Sequence, residues 1–219
     1  MGTKIKAAIF DLDGTLADTI DSIATATNMV LEKLELPQHA TECYQYFAGD
    51  GAKTLIERAL IAAGDSELTH LEEAYEAYKE FFAKNCTYKV KIFNGLKEVL
   101  DQMKGQGIKL AVLTNKPHER ALEVVDYLYG KGYFNKILGE MPSIPKKPSN
   151  VGALMVAKEL QVRPEECLYV GDTDVDMKTG KGSGMVTVGV LWGFRDREEL
   201  EANHADIICE EPKDLLKYL

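Results

Sequence analysis

Two pairs of aspartates open the chemistry of this chain. Asp11 and Asp13 flank a single leucine in Asp11-Leu12-Asp13-Gly14-Thr15-Leu16, and Asp172 and Asp176 share the stretch Gly171-Asp172-Thr173-Asp174-Val175-Asp176. Two carboxylates held as close as Asp11 and Asp13 repel unless a cation neutralises them or one takes a proton. A hard cation with oxygen ligands is the natural partner, and Mg²⁺ is typical where phosphate is also bound. Read alone, Asp172 could be no more than a helix N-cap. Lys147 stands in a loop before Pro148, where a lysine is usually a solvated surface charge and neighbouring Lys146 reads as one. The functional reading of Lys147 is a clamp on a phosphoryl group.

These residues gain weight from where they fall. Ala7–Phe10 reads as a buried strand that stops at Asp11, Lys109–Leu113 as one that stops at Thr114-Asn115, and Cys167–Val170 as one that stops at Gly171-Asp172. Lys136–Leu138, Val186–Leu191 and Asp206–Cys209 complete the set. Continuous apolar runs separated by helical stretches predict a parallel sheet covered on both faces. The fold expected is a doubly wound, Rossmann-like α/β core, in which ligands bind beyond the carboxyl ends of the strands. Residues distant in sequence can therefore converge there. Among the helices, one opened by Pro117 is expected to carry Leu122, Val125 and Leu128. Another, opened by Pro148, is expected to turn Val151, Leu154 and Met155 inward.

The first two strands are separated by a long segment without a convincing strand. Helical stripes run through Ile20, Ile23, Thr27, Val30, Leu31 and Leu34, through Leu55, Ile56, Ala59, Leu60 and Ala63, and through Leu68, Leu71, Tyr75, Tyr78 and Phe82. Residues 17–87 read as an all-helical insertion, with residues 1–16 and 88–219 forming the catalytic core.

Composition narrows the partners. With 219 residues, 45% of them hydrophobic, the chain can bury one sizeable core and a small inserted domain. A net charge of −9 speaks against nucleic acid as the main partner. No stretch approaches the length of a membrane span and the N-terminus is too short for a signal peptide, so a cytoplasmic location is expected. The four widely spaced cysteines, Cys43, Cys86, Cys167 and Cys209, read as buried free thiols. The four histidines, His39, His70, His118 and His204, lack metal spacing and read as surface residues. Gly180, Gly182 and Gly184 precede a strand and fail the dinucleotide pattern at Met185, which leaves a helix end and a turn. A monomer and a homodimer are equally compatible with the sequence.

The ordered set of motifs resembles that of the haloacid dehalogenase-like superfamily. Asp11-Leu12-Asp13-Gly14-Thr15 is similar to its first motif, Leu113-Thr114-Asn115 to its second, Lys147-Pro148 to its third and Gly171 through Asp176 to its fourth. The resemblance covers the whole chain. It implies that Asp11 attacks phosphorus to give an aspartyl-phosphate and that Asp13 serves as acid and then base. Thr114 and the backbone N–H of Asn115 would hold phosphoryl oxygens, while Lys147 would offset the charge between Asp11 and phosphate. Asp11, the backbone carbonyl of Asp13, Asp172 and Asp176 would hold Mg²⁺, the last directly or through water. The helical insertion resembles the cap that closes over such sites.

Within that cap, Phe47-Ala48-Gly49-Asp50-Gly51-Ala52 resembles the cap loop of phosphoglycolate phosphatases, as does Gly189-Val190-Leu191-Trp192-Gly193-Phe194 in the core. Gly49, Asp50 and Gly51 are thereby candidate substrate contacts, with the alternative that they form only a tight turn before a helix. The expected substrate is a small phosphate monoester, 2-phosphoglycolate first. Sugar-phosphate phosphatases, pyrophosphatases and phosphomutases use the same core. A carbon–phosphorus hydrolase would use Lys53, but such enzymes lack the second aspartate that Asp13 supplies. A non-catalytic binding module would be marked by loss of a catalytic residue, and none is lost.

Overall fold

The computed structural model describes residues 4–219. Six strands form one parallel sheet: β1 (Ala7–Phe10), β2 (Lys109–Pro117), β3 (Lys136–Glu140), β4 (Cys167–Gly171), β5 (Val186–Val190) and β6 (Ile207–Cys209). Their order is β3-β2-β1-β4-β5-β6. The chain winds outward from β1 through β2 and β3, then returns to the other side of β1. The boundary between β1 and β4 is thus the place where strand order reverses and where a crevice opens. Phe10 pairs with both Val112 and Val170, so Asp11, Thr114 and Asp172 emerge at nearly the same level.

Alternation along each strand divides the core into two layers. Ala8, Phe10, Val112, Val170 and Val188 face one side, where they meet Leu96, Val99, Leu100 and Met103 of α5 (Leu96–Gly105) and Val124 of α6 (His118–Tyr129). Ala7, Ile9, Ala111, Leu113 and Tyr169 face the other, against Ala153, Val156 and Ala157 of α7 (Val151–Glu159). α8 (Asp174–Gly182) and α9 (Arg197–Ala202) follow β4 and β5.

Between β1 and β2 the chain is helical. It contains α1 (Ile20–Lys33), a short α2 (Tyr44–Phe47), α3 (Ala52–Ala62) and α4 (Leu71–Asn85). α1 packs against α4, and the buried Tyr44 hydroxyl donates to Asn28 Oδ1 at 2.5 Å. Asp18 and Lys91 pair in an antiparallel bridge where this segment leaves and rejoins the sheet. This is the doubly wound α/β core with an all-helical cap that the sequence predicts.

Several side chains depart from the sequence expectations. In α7, Val151, Leu154 and Met155 lie outside, while Gly152, Ala153, Val156 and Ala157 face the sheet. The helix approaches closely: a Cβ on Gly152 would lie 3.0 Å from Leu113 Cδ1. Small residues therefore take the inner face, and the larger apolar ones are displaced outward. α6 buries Ala121, Val124, Val125 and Tyr129 and exposes Leu122, with Leu128 half-buried. The Tyr129 hydroxyl donates to the Leu16 carbonyl at 2.7 Å. Cys43 is exposed, unlike the other three cysteines. His39 and His118 are half-buried and hydrogen-bonded, so they are not surface residues. β2 continues through Thr114, Asn115 and Lys116 to Pro117 after a register shift, where a strand end at Thr114 is expected.

The placement of α7 has a measurable consequence. Val156→Ala is expected to cost about 2 kcal/mol from lost burial and the cavity left behind. Met155→Ala, on the exposed face, is expected to cost under about 0.5 kcal/mol. Urea denaturation of the two variants checks this, and equal costs would contradict the orientation of the helix.

Candidate active site

Asp11 leaves β1 with its backbone N–H donated to the Val170 carbonyl at 2.9 Å. Its Oδ1 accepts the Leu12 N–H at 2.7 Å and lies 2.9 Å from Lys147 Nζ. Oδ2 has no hydrogen-bond partner among the described residues. Lys147 is 3% exposed and also reaches Asp176 Oδ1 at 2.7 Å. Asp176 in turn accepts the Thr173 hydroxyl at 2.8 Å and the Thr173 N–H at 3.2 Å, which caps α8 and fixes the carboxylate.

Asp172 is fully buried between two glycines. Thr15 Oγ1 donates to its Oδ1 at 2.6 Å and the Phe194 N–H to its Oδ2 at 2.8 Å. A Cβ on Gly14 would come 2.2 Å from Asp172 Oδ2, and one on Gly193 would come 2.3 Å from Asp172 Cβ. Gly14 also holds φ at +80°, a conformation that favours glycine. Close approach of two backbone segments is thus what packs the carboxylate against Asp11.

Asp11, Asp172 and Asp176 can each offer one oxygen such that all three lie within 4.8 Å of one another. Three buried carboxylates face one ammonium, so full ionisation leaves two negative charges unbalanced. Burial lifts Asp11 to about 7 even though Lys147 pulls it down, with Asp176 and Asp13 adding to the rise. Burial, then Asp176 and Asp11, hold Asp172 well above the usual carboxylate range. Burial works against the charge on Lys147, but Asp11 and Asp176 outweigh it and hold its pKa well above the ordinary value. A divalent cation would cancel the remaining charge, and carboxylate oxygens are the donors that hard cations take. The donor set therefore fits such an ion. The Asp13 side chain stands outside this cluster.

Asp13 turns to a different cation. Its Oδ1 accepts Lys116 Nζ at 2.7 Å and Thr19 Oγ1 at 2.7 Å, while Oδ2 makes no hydrogen bond to a described residue. Lys116 lies outside the residues that the sequence picks out, although it directly follows Thr114 and Asn115. The continuation of β2 explains its position, since alternate strand residues point to opposite sides. Asn115 donates from Nδ2 to the Lys147 and Gly49 carbonyls at 3.1 and 3.2 Å and accepts the Lys147 N–H at 2.8 Å. Lys116 instead reaches Asp13. Thr114 is buried, and its Oγ1 accepts the Lys116 N–H at 3.2 Å.

The cap closes the other side. Asp11, Asp13, Thr114, Asn115 and Lys116 share a cavity of ≈ 50 Å³ with Gly49, Gly51, Tyr78 and Phe82. Asp50 is absent from that lining, and its carboxylate pairs with Arg58 at 2.6 Å. Lys146 is exposed but donates to the Asp50 carbonyl at 2.6 Å, so it is more than a solvated charge. Arg195 donates to the Ala48 carbonyl at 3.1 Å and to the Gln45 carbonyl. Lys53 pairs with Glu72 on the surface and does not line the cavity.

Comparison with known proteins agrees with this arrangement. Residues 8–190 match the family described as haloacid dehalogenase-like hydrolase. Over 215 residues the chain is 32% identical to a phosphoglycolate phosphatase of Aquifex aeolicus (strain VF5), covering 98% of this chain and 97% of that one. A phosphoglycolate phosphatase of Escherichia coli (strain K12) is 29% identical over 236 residues, with 98% and 92% covered. The crystal structure of a candidate phosphoglycolate phosphatase from Lactobacillus delbrueckii subsp. bulgaricus gives a TM-score of 0.89 at 30% identity, over 97% of both chains. With four motifs assembled at one crevice and the family matched across both core and cap, the chain belongs to the haloacid dehalogenase-like hydrolases and is an enzyme of their phosphoric monoester hydrolase branch.

Proposed function

We propose that this enzyme hydrolyses 2-phosphoglycolate through an aspartyl-phosphate on Asp11, with Mg²⁺ bound by Asp11, the Asp13 carbonyl, Asp172 and Asp176. One observation carries the reading: Asp11 and Asp13 each have one carboxylate oxygen pinned and the other free, on the same small cavity. Pinning Oδ1 of Asp11 orients Oδ2 for attack on phosphorus. Oδ2 of Asp13 is the oxygen that gives a proton to the departing alkoxide and then takes one from the incoming water. Thr114 and the Asn115 N–H hold phosphoryl oxygens, and Lys147 keeps the nucleophile and the phosphate from repelling. Mg²⁺ supplies charge neutralisation at the phosphoryl group when bound. The helical cap, residues 17–87 with its base at the Asp18–Lys91 bridge, covers the leaving group.

The choice of substrate rests on size and on the relatives. A water needs about 10–15 Å³ of such space, so ≈ 50 Å³ admits about four water-sized groups. A small space of this kind suits a compact two-carbon leaving group better than a hexose. Gly49 and Gly51 keep side-chain bulk out of the cavity and precede the N-terminus of α3. The Aquifex aeolicus and Escherichia coli relatives bear the same substrate in their names.

Three measurements test the reading. In a panel of small phosphate esters, 2-phosphoglycolate should show the highest kcat/KM, and a hexose phosphate or pyrophosphate at the top would refute the substrate. Asp11→Asn should lower kcat by at least about 1,000-fold while leaving the thermal midpoint unchanged or higher. A variant verified free of deamidation that kept several per cent of wild-type turnover would exclude Asp11 as nucleophile. Chelation should abolish activity, and Mg²⁺ at about one hundred times its Kd should stabilise the protein by about 2.7 kcal/mol. That corresponds to a rise of about 5–10 °C in Tm. Asp172→Asn should remove most of that rise, and a Tm indifferent to Mg²⁺ in the wild type would argue against the metal site.

A further inference from the structure

Lys116 is a buried cation with more donors than partners. Its side chain is 3% exposed, and its Nζ lies 4.6 Å from the centroid of the Phe82 ring. An ammonium carries three donors. Among the described residues, the hydrogen bond to Asp13 Oδ1 is the one it makes. Among the described residues it is also the one cation in the lining of the cavity, while Lys147 is engaged by Asp11 and Asp176.

A second donor stands across from it. Tyr78, on α4 of the cap, is 3% exposed and lines the same cavity. Its hydroxyl makes no hydrogen bond to any described residue. Tyr78 lines the cavity, so its hydroxyl is available to donate to a bound group. An ammonium with spare donors and an unpartnered phenol, both on one cavity, call for an acceptor bearing negative charge. Asp13 pairs with the ammonium while ionised, but it no longer does so once it carries the proton for the leaving group. An anionic acceptor then supplies the counter-charge that a neutral hydroxyl does not. The reacting phosphoryl group sits at Asp11, Thr114 and Lys147 in the reading above, so the acceptor belongs to the leaving group.

From this geometry we infer that Lys116 and Tyr78 form the subsite for a carboxylate on the leaving group. The inference rests on the phosphatase reading above and deepens it. It names the residues that distinguish an acidic two-carbon leaving group from an uncharged one of equal size. The subsite joins core and cap, since Lys116 comes from β2 and Tyr78 and Phe82 come from α4. Phe82 excludes water from one side of the ammonium, which strengthens its attraction for an anion. Lys116 keeps its place beside Asp13, so the carboxylate is drawn toward the residue that serves its own departure.

The test compares 2-phosphoglycolate with ethyl phosphate, which has the same two carbons and no carboxylate. The measured quantity is the ratio of their kcat/KM values. In Lys116→Met that ratio should fall by about 10- to 100-fold, the range for a hydrogen bond to a charged group. A general loss caused by disturbing Asp13 affects both substrates and cancels in the ratio. The loss specific to 2-phosphoglycolate should include a raised KM. Tyr78→Phe, which removes only the hydroxyl, should lower the ratio by about 3- to 10-fold. Should Lys116→Met fail to fold by circular dichroism, Tyr78→Phe decides alone. An unchanged ratio in the folded variants would overturn the subsite and leave Lys116 as a partner of Asp13 only. A wild-type enzyme that favours a hexose phosphate defeats the substrate reading instead, and the ratio still decides the subsite.

Discussion

One buried ammonium facing three buried carboxylates is the constraint on which the rest of this structure turns. Lys147 cannot neutralise Asp11, Asp172 and Asp176 together, and burial alone would drive protons onto Asp11 and Asp172. A divalent cation would balance such a site as a charged one. Phosphoryl transfer has the matching need. Its reactants are anions, and catalysis consists largely of bringing them together in a neutralised pocket. The excess negative charge that makes the bare cluster unfavourable is thus what fits it to take a metal, and with a metal in place it would no longer repel phosphate.

The sheet supplies the geometry for this imbalance. β1 and β4 lie side by side where strand order reverses, so Asp11 and Asp172 leave neighbouring strands at almost the same level. Hydrogen bonds from Thr15 and the Phe194 N–H then hold the Asp172 carboxylate, Thr173 holds that of Asp176, and the Leu12 N–H holds that of Asp11. Gly14 and Gly193 are glycines because Asp172 occupies the space that their side chains would need. Here the backbone itself forms the wall of the site. The cap is attached differently. Asn115, Lys146 and Arg195 of the core all bind backbone carbonyls between Gln45 and Asp50. Such contacts place the cap loop whatever its side chains are, which separates positioning of the loop from selection of the leaving group.

Much of this was legible in the amino-acid sequence, and the failures have physical causes. The strands announce themselves as apolar runs. Asp11, Asp13, Thr114, Asn115 and Asp172 stand at or just beyond the ends of those runs, while Lys147 lies in the loop after β3. Asp11, Asp172, Asp176 and Lys147 meet as their motifs imply. α7 was misjudged in its orientation because hydrophobicity marks Val151, Leu154 and Met155 as the inner face. Steric closeness to Leu113 overrides that rule and selects glycine and alanine. Asp50 is a candidate through the resemblance of its loop, but Arg58 in the following helix claims its carboxylate. Lys116 was invisible for another reason. Its importance comes from a register shift that prolongs β2 past Leu113 and from an aromatic ring in a distant helix. Neither leaves a local mark beside a lysine in a sequence.

That last case bears on how selection and chemistry are coupled. The residues proposed to handle the phosphoryl group all belong to the core, and Asn115 among them also donates to the Gly49 carbonyl of the cap loop. Lys116 is a further core residue that meets the cap, its environment completed by Phe82 while its ammonium rests on Asp13. The same side chain therefore senses the cap, the leaving group and the acid. An arrangement in which α4 stood away from β2 would put Lys116 in water, where its attraction for an anion is weak. With α4 in place the ammonium is dry and its attraction is strong. Recognition of the leaving group is then greatest in the closed site in which Asp13 is positioned to act, which ties discrimination to the catalytic step as well as to the encounter.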